Sequence, residues 1–131
     1  MSENFKHTEL TSQIIKAFYH VYNVLGFGFL EKVYERALLL ELRKSGLSAV
    51  SQVPLKVFYE AFEVGSYFAD IVVNDCVIIE LKASTGLIEE QEAQLVNYLR
   101  ATQIEVGLLL NFGIKPQLKR KVFSNQFKTL E

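Results

Sequence analysis

The stretch Asp70-Ile-Val-Val-Asn-Asp-Cys-Val-Ile-Ile-Glu80-Leu-Lys82 decides how this chain folds. It is an apolar hairpin pattern into which an acid and an acid-x-Lys triplet are set. Charged residues seldom occupy core strands, because burying an unpaired charge is costly. Side chains alternate along a strand, so Glu80 and Lys82 point one way while Ile79 and Leu81 point the other. A two-residue turn at Asn74-Asp75 would set Asp70 opposite Ile79, away from Glu80. A three-residue connection, Asn74-Asp75-Cys76, instead pairs Val73 with Val77, Ile71 with Ile79 and Asp70 with Glu80. That register also gathers Ala69, Ile71, Val73, Val77, Ile79 and Leu81 on one apolar face. The apolar pattern and the acidic pairing select the same register.

Working outward, Thr8 to Leu25 reads as a helix, with Ile14, Ile15, Phe18, Val21, Tyr22 and Leu25 at three- and four-residue spacing. Gly26 is its stop. A second helix covers about Leu30 to Ser45 and closes at Gly46, with Val33, Ala37, Leu38, Leu40 and Leu42 forming a broad apolar face. From Val50 the period drops to two, and Val53, Leu55, Val57 and Tyr59 mark a strand that reverses at Glu60-Ala61. A second strand spans Glu63 to Val73 and a third Val77 to Ala83. Glu89 to Thr102 is a third helix with Leu95, Tyr98 and Leu99 inward. Glu105 to Asn111 holds the continuous run Val106-Gly-Leu-Leu-Leu110, typical of a strand buried on both faces. After Pro116 come a short basic element, Lys119-Arg120-Lys121-Val122-Phe123, and a frayed tail. The order α-α-β-β-β-α-β predicts an α/β domain with a mixed central sheet flanked by helices.

The chain has 131 residues, half of them apolar, enough for one folded domain over residues 1–131. Its apolar runs are too short and charge-interrupted to span a membrane, and the first residues lack a signal-peptide layout. A single cysteine, Cys76, excludes an internal disulfide framework and suits a reducing cytoplasm. The formal net charge of −1 argues against non-specific grip on nucleic acid by bulk electrostatics.

Two carboxylates held side by side repel, and each raises the other's pKa unless a cation lies between them. Oxygen ligands from Asp70 and Glu80 suit Mg²⁺ or Mn²⁺. Lys82 cannot ligate such an ion, but it can orient a water or stabilise charge building on a phosphate. The competing reading is a rim ion-pair ladder on a solvated sheet face, with Lys82 neutralising its neighbours.

Asp70 followed by Glu80-Leu81-Lys82, on the second and third strands of such a core, resembles the PD-(D/E)XK nuclease superfamily. Ala69 stands where that name has proline. Gly28-Phe-Leu-Glu31-Lys-Val-Tyr34 also fits the signature of the GxxExxY proteins, small relatives of these nucleases, as do Gln52-Val-Pro-Leu55, Tyr67-Phe-Ala-Asp70, Gln94-Leu-Val-Asn-Tyr98-Leu and Leu110-Asn-Phe-Gly113. The resemblance implies a restriction-endonuclease-like α-β-β-β-α-β core. It implies Asp70 and Glu80 as metal ligands, Glu31 as an outer metal ligand, Lys82 as the catalytic lysine, and Gln94 as a helical residue that positions water or substrate. It implies a Mg²⁺- or Mn²⁺-dependent nuclease acting on nucleic acid, DNA in particular.

Each of these residues has a plainer use. Glu31, like Glu89, Glu90 and Glu92, suits the positive end of a helix. Tyr34 and Tyr98 fit core tyrosines with a bonded hydroxyl. Gln94 alone reads as a solvated helix residue. Lys115, Lys119, Arg120 and Lys121 can meet phosphates or simply keep a C-terminal segment solvated. His7 and His20 lack metal-ligand spacing, and a single cysteine argues against a zinc site. Two functions therefore stand: a metal-dependent nuclease, and a nuclease-fold binding or assembly module without turnover. The small size and the abundance of Phe, Tyr and Leu add the expectation of a homodimer closing over an apolar patch.

Overall fold

A computed structural model describes residues 6–129 of the chain. Helix α1, Thr8–Leu25, buries Ile14, Ala17, Phe18 and Val21 along one stripe. It ends where expected: Gly26 turns out at φ 69° and its N–H closes on the Tyr22 carbonyl at 2.8 Å. Helix α2, Glu31–Lys44, buries Tyr34, Glu35, Leu38 and Leu42. Val33 and Leu40, expected inward, are exposed. At 3.6 residues per turn both lie nearly opposite the Tyr34–Leu38–Leu42 stripe, so the phase of the helix outweighs their apolar character. Tyr34 is a core tyrosine, stacked on Phe112 with ring centroids 4.4 Å apart. Its hydroxyl donates to the Gly26 carbonyl at 2.6 Å and accepts the Phe29 N–H at 3.2 Å, which fixes the turn that leads into Glu31.

Five strands form one sheet in chain order: β1 Ala49–Tyr59, β2 Phe62–Val73, β3 Val77–Lys82, β4 Val106–Phe112 and β5 Pro116–Val122. Only β3 and β4 run parallel, joined by the crossover helix α3, Glu89–Arg100. Helices α1 and α2 cover one face, over Ile71, Val73, Val77, Ile79, Leu81 and the β4 residues Val106, Leu108 and Leu110. Helix α3 covers the other, with Leu95, Tyr98 and Leu99 against Leu55, Val72, Ile78 and Leu109. Strand β4 is buried at every position, which explains its unbroken apolar run.

The basic segment after Pro116 is a strand, not a solvated appendix. It pairs antiparallel with β4 from Phe112↔Pro116 to Val106↔Val122. An edge strand tolerates proline at its first position, and charges there discourage pairing with other chains. The tail beyond it is docked rather than frayed: the Lys128 ammonium donates to the Thr102 and Ile104 carbonyls at 2.9 and 2.7 Å. The final two residues lie outside the described range.

The three-residue connection and the Val73↔Val77 and Ile71↔Ile79 pairs are as the apolar pattern requires. There the β2–β3 ladder stops. Strand β2 runs on with β1 to the Tyr59↔Phe62 pair, and β3 runs on with β4 to Lys82↔Asn111. The sheet forks just past Ile71. One expectation fails at this point. Ala69 packs with the α3-side cluster, alongside Val53 and Leu55, instead of sharing a face with Ile71 and Val73. The cause lies across the ladder: Gln52 falls between the Ser51↔Ile71 and Val53↔Ala69 pairs, opposite Asp70, with φ 52°. A left-handed residue inside a strand breaks the alternation, so the outer arm of β1–β2 presents the opposite parity.

Candidate active site

Asp70 and Glu80 sit in the crotch of the fork, and their carboxylates replace the ladder's missing rung. The Asp70 N–H donates to Glu80 Oε2 at 2.8 Å, and the Leu81 N–H donates to Asp70 Oδ2 at 2.8 Å. Each side chain is thus oriented by the other's strand. Glu80 is buried and Asp70 half-buried. Burial, together with the neighbouring Asp70 charge, pushes the Glu80 carboxyl up to about 8. Burial also raises Asp70, against the pull of the Leu81 N–H and despite the cation of Lys82. Glu31, at the first turn of α2, is raised by burial too, while feeling Lys82 and Asp70. Lys82 is half-buried and acts on all three acids through space.

Asp70, Glu80, Lys82 and Glu31 therefore form one electrostatic unit. Gln94 reaches it only indirectly, donating to the Tyr98 hydroxyl at 3.0 Å. Tyr98 is more than a core tyrosine: burial raises its pKa, and so do the through-space charges of Glu80 and Asp70.

Three members are not evident from sequence. Glu35 is buried and accepts from Lys32 Nζ at 2.8 Å and from Gln52 Nε2 at 2.9 Å. Gln52 lies opposite Asp70 in the β1–β2 ladder and lowers its pKa, so a chain Lys32–Glu35–Gln52 ends beside Asp70. For Glu35 the signal is an acid inside the apolar phase of α2, while Gln52 and Asn111 stand in the matched stretches Gln52-Val-Pro-Leu55 and Leu110-Asn-Phe-Gly113. Below the fork, fully buried Asn111 bonds the Ser84 backbone in both directions at 3.0 Å, holding the chain just after Lys82. Gly113 allows this: a Cβ there would lie 2.3 Å from the Ser84 carbonyl oxygen.

Among the described residues no three His, Cys, Asp or Glu side chains gather tightly enough to enclose an ion. The donor set nevertheless fits one kind of cation. It offers two hard carboxylates, each with one oxygen engaged by a backbone N–H, in a place where burial, and after it the Asp70 charge, raises the Glu80 carboxyl. A hard divalent ion that keeps several waters suits such a sparse set. The remaining candidates lie elsewhere. His20 approaches Glu41 at 3.9 Å. Lys121 pairs with Glu92 at 2.6 Å, and with Lys119 and Arg120 belongs to β5, beyond β4.

A family model described as the PD-(D/E)XK nuclease superfamily matches residues 8–122. Among solved structures, the crystal structure of SSO0001 superposes with a TM-score of 0.58 at 17% identity, over 90% of this chain and 60% of that one. This chain thus spans well under two thirds of that protein's length. An alkaline exonuclease, LHK-Exo from Laribacter hongkongensis, gives a TM-score of 0.48 at 11% identity, over 84% of this chain and 77% of its own. Among curated proteins none matches the chain in sequence.

Proposed function

The chain belongs to the PD-(D/E)XK nuclease superfamily, and from that premise we propose that it is a divalent-metal-dependent nuclease hydrolysing phosphodiester bonds in nucleic acid, DNA in particular. The GxxExxY pattern around Glu31 and Tyr34 places it, in this reading, among those small relatives. The observation that carries the proposal is the fork itself, where two carboxylates complete a backbone ladder and Lys82 stands beside them. Asp70 and Glu80 would hold Mg²⁺ or Mn²⁺, with Glu31 acting through water. Such an ion supplies a Lewis acid that activates water and polarises the scissile phosphate. The chain's own part is positional and electrostatic. Lys82 offers an ammonium on the Glu80 side of β3, placed to orient the attacking water and offset charge gathering on phosphate oxygens. The Leu81 N–H holds the Asp70 carboxylate in place, and the Lys32–Glu35–Gln52 chain ends beside it. Tyr98 and Gln94 border the site from α3.

The test is cleavage of a panel of single-stranded DNA, duplex DNA and RNA with Mg²⁺ or Mn²⁺. Wild type is expected to cut at least one substrate only when metal is present, and Asp70→Asn to cut none. Metal binding without cleavage of any substrate would move the protein to the second reading, a binding or assembly module, which its near-neutral charge favours. We include self-association in the proposal. Tyr59, Phe62 and Val64, at the tip of the β1–β2 arm, are 66%, 73% and 63% exposed and form an apolar surface suited to a second copy. Sedimentation at micromolar concentration is expected to give a dimer; a clean monomer would remove this part. No described helix is long and apolar enough to cross a membrane; for its single free cysteine we propose a reducing cytoplasm.

A further inference from the structure

Beyond the fork, the β1–β2 arm and helix α3 enclose a groove of about 910 Å³. Val57, Phe58 and Tyr67 line the arm side; Gln94, Asn97 and Tyr98 line the helix side. One end is Tyr98, which packs in one cluster with Ala69, the residue before Asp70, and Tyr67 precedes Asp70 on β2, so the groove lies beside the candidate site. Its charge is unusual for a surface beside a phosphate-cutting centre. Among the described residues Arg100 is its one cation, and that guanidinium already lies 4.7 Å over the Phe123 ring; Glu90 balances it. Such a wall gives a phosphodiester backbone little to hold. Aromatic faces and neutral amides instead suit nucleobases, whose π-faces stack and whose edges pair with Gln and Asn.

Tyr67 is built for that use. It is 45% exposed and its ring sits 5.6 Å from that of Tyr98, tilted by 47°. The ring lies along the strand over Gly65, where an added Cβ would come within 3.1 Å of Tyr67 Cε2. Glycine at that position leaves the ring room to settle against the arm.

We propose that this groove takes unpaired bases, so that the substrate is single-stranded nucleic acid, or a frayed end of a duplex, lying across Tyr67 with a phosphate at the fork. The proposal rests on the nuclease reading for its direction. A duplex turns its phosphates outward and hides its base faces, offering this wall the wrong surface.

The experiment is fluorescence anisotropy on the full chain without divalent metal, so that binding is read apart from turnover. The probes are a labelled single strand, its duplex, the matching RNA strand and an abasic strand of equal length. The single strand is expected to bind at least ten-fold more tightly than the duplex or the abasic strand. Tyr67→Ala should weaken it roughly ten-fold, the scale of one stacked base, while Tyr67→Phe keeps it. Circular dichroism on each variant separates lost stacking from lost folding. RNA binding as well as DNA supports the groove equally, because the base faces are shared. Duplex or abasic binding equal to the single strand, or an indifferent Tyr67→Ala, overturns the inference. So does a concentration-dependent dimer that occludes the groove and takes up no strand. Metal-dependent duplex cleavage untouched by Tyr67→Ala would overturn it while leaving the nuclease reading intact. Strand binding with no cleavage would do the reverse.

Discussion

Lys82→Ala is expected to lower the rate of metal-dependent hydrolysis by roughly two or more orders of magnitude, the scale set by a group that stabilises transition-state charge. The same variant should bind Mn²⁺ as well as wild type or better, provided the measurement is made above the titration of Glu80. Lys82 acts on Asp70, Glu80 and Glu31 together. Its removal deletes a cation that competes with the metal, but it also lets protons hold the carboxyls to higher pH. Well above the variant's own Glu80 titration the first effect dominates. Calorimetric titration in that range, paired with single-turnover rates, separates the two roles. An unchanged rate would make Lys82 a charge neutraliser and return the triplet to an ion-pair ladder.

Metal-free wild type should lose stability as pH rises, and Glu80→Gln should abolish most of that loss. The folded Glu80 carboxyl is pushed up to about 8 by burial and by Asp70, whereas in the unfolded chain it titrates near the ordinary 4.5. Between these limits the folded state retains a proton that the unfolded state has released. Stability therefore falls with rising pH across that window, by up to about 1.4 kcal/mol per unit. At pH 8 Glu80→Gln should be more stable than metal-free wild type by up to about 4 kcal/mol. The amide oxygen can still accept the Asp70 N–H, so the gain reflects charge rather than a lost bond. Millimolar Mg²⁺ should restore wild type at pH 8 by mass action and leave the variant unmoved. Urea midpoints from pH 5 to 9, with and without Mg²⁺, give the answer. A flat wild-type profile would mean that Glu80 is ionised and already compensated.

Much of this architecture is legible in the residues because it rests on local periodicity. The bounds of α1 follow from an apolar stripe ended by Gly26, and the β2–β3 register follows from apolar faces that only one connection length brings together. Where the reading fails, a non-local term decides. Ala69 changes face because Gln52, a residue of another strand, adopts a left-handed backbone. Val33 and Leu40 are apolar yet exposed, since the stripe that meets the sheet is set by Tyr34. Strand β5 is hidden behind a proline and three cations because an edge can carry both. At the site, Asp70, Glu80 and Lys82 declare themselves as charges in apolar strands. Glu35 and Gln52 do not, since their meaning appears only when α2 is laid beside β1.

The exchange of a backbone rung for two carboxylates also changes what a knockout experiment means. Replacing Asp70 or Glu80 by alanine is commonly assumed to silence chemistry while sparing architecture. Here those acids are the last stitch between two halves of a sheet, and each alanine strips a backbone N–H of its acceptor, at a cost of about 1–3 kcal/mol. An inert alanine variant could then be inert because its seam has opened. Asparagine and glutamine, which keep an oxygen in place, are the substitutions from which a loss of activity can be interpreted.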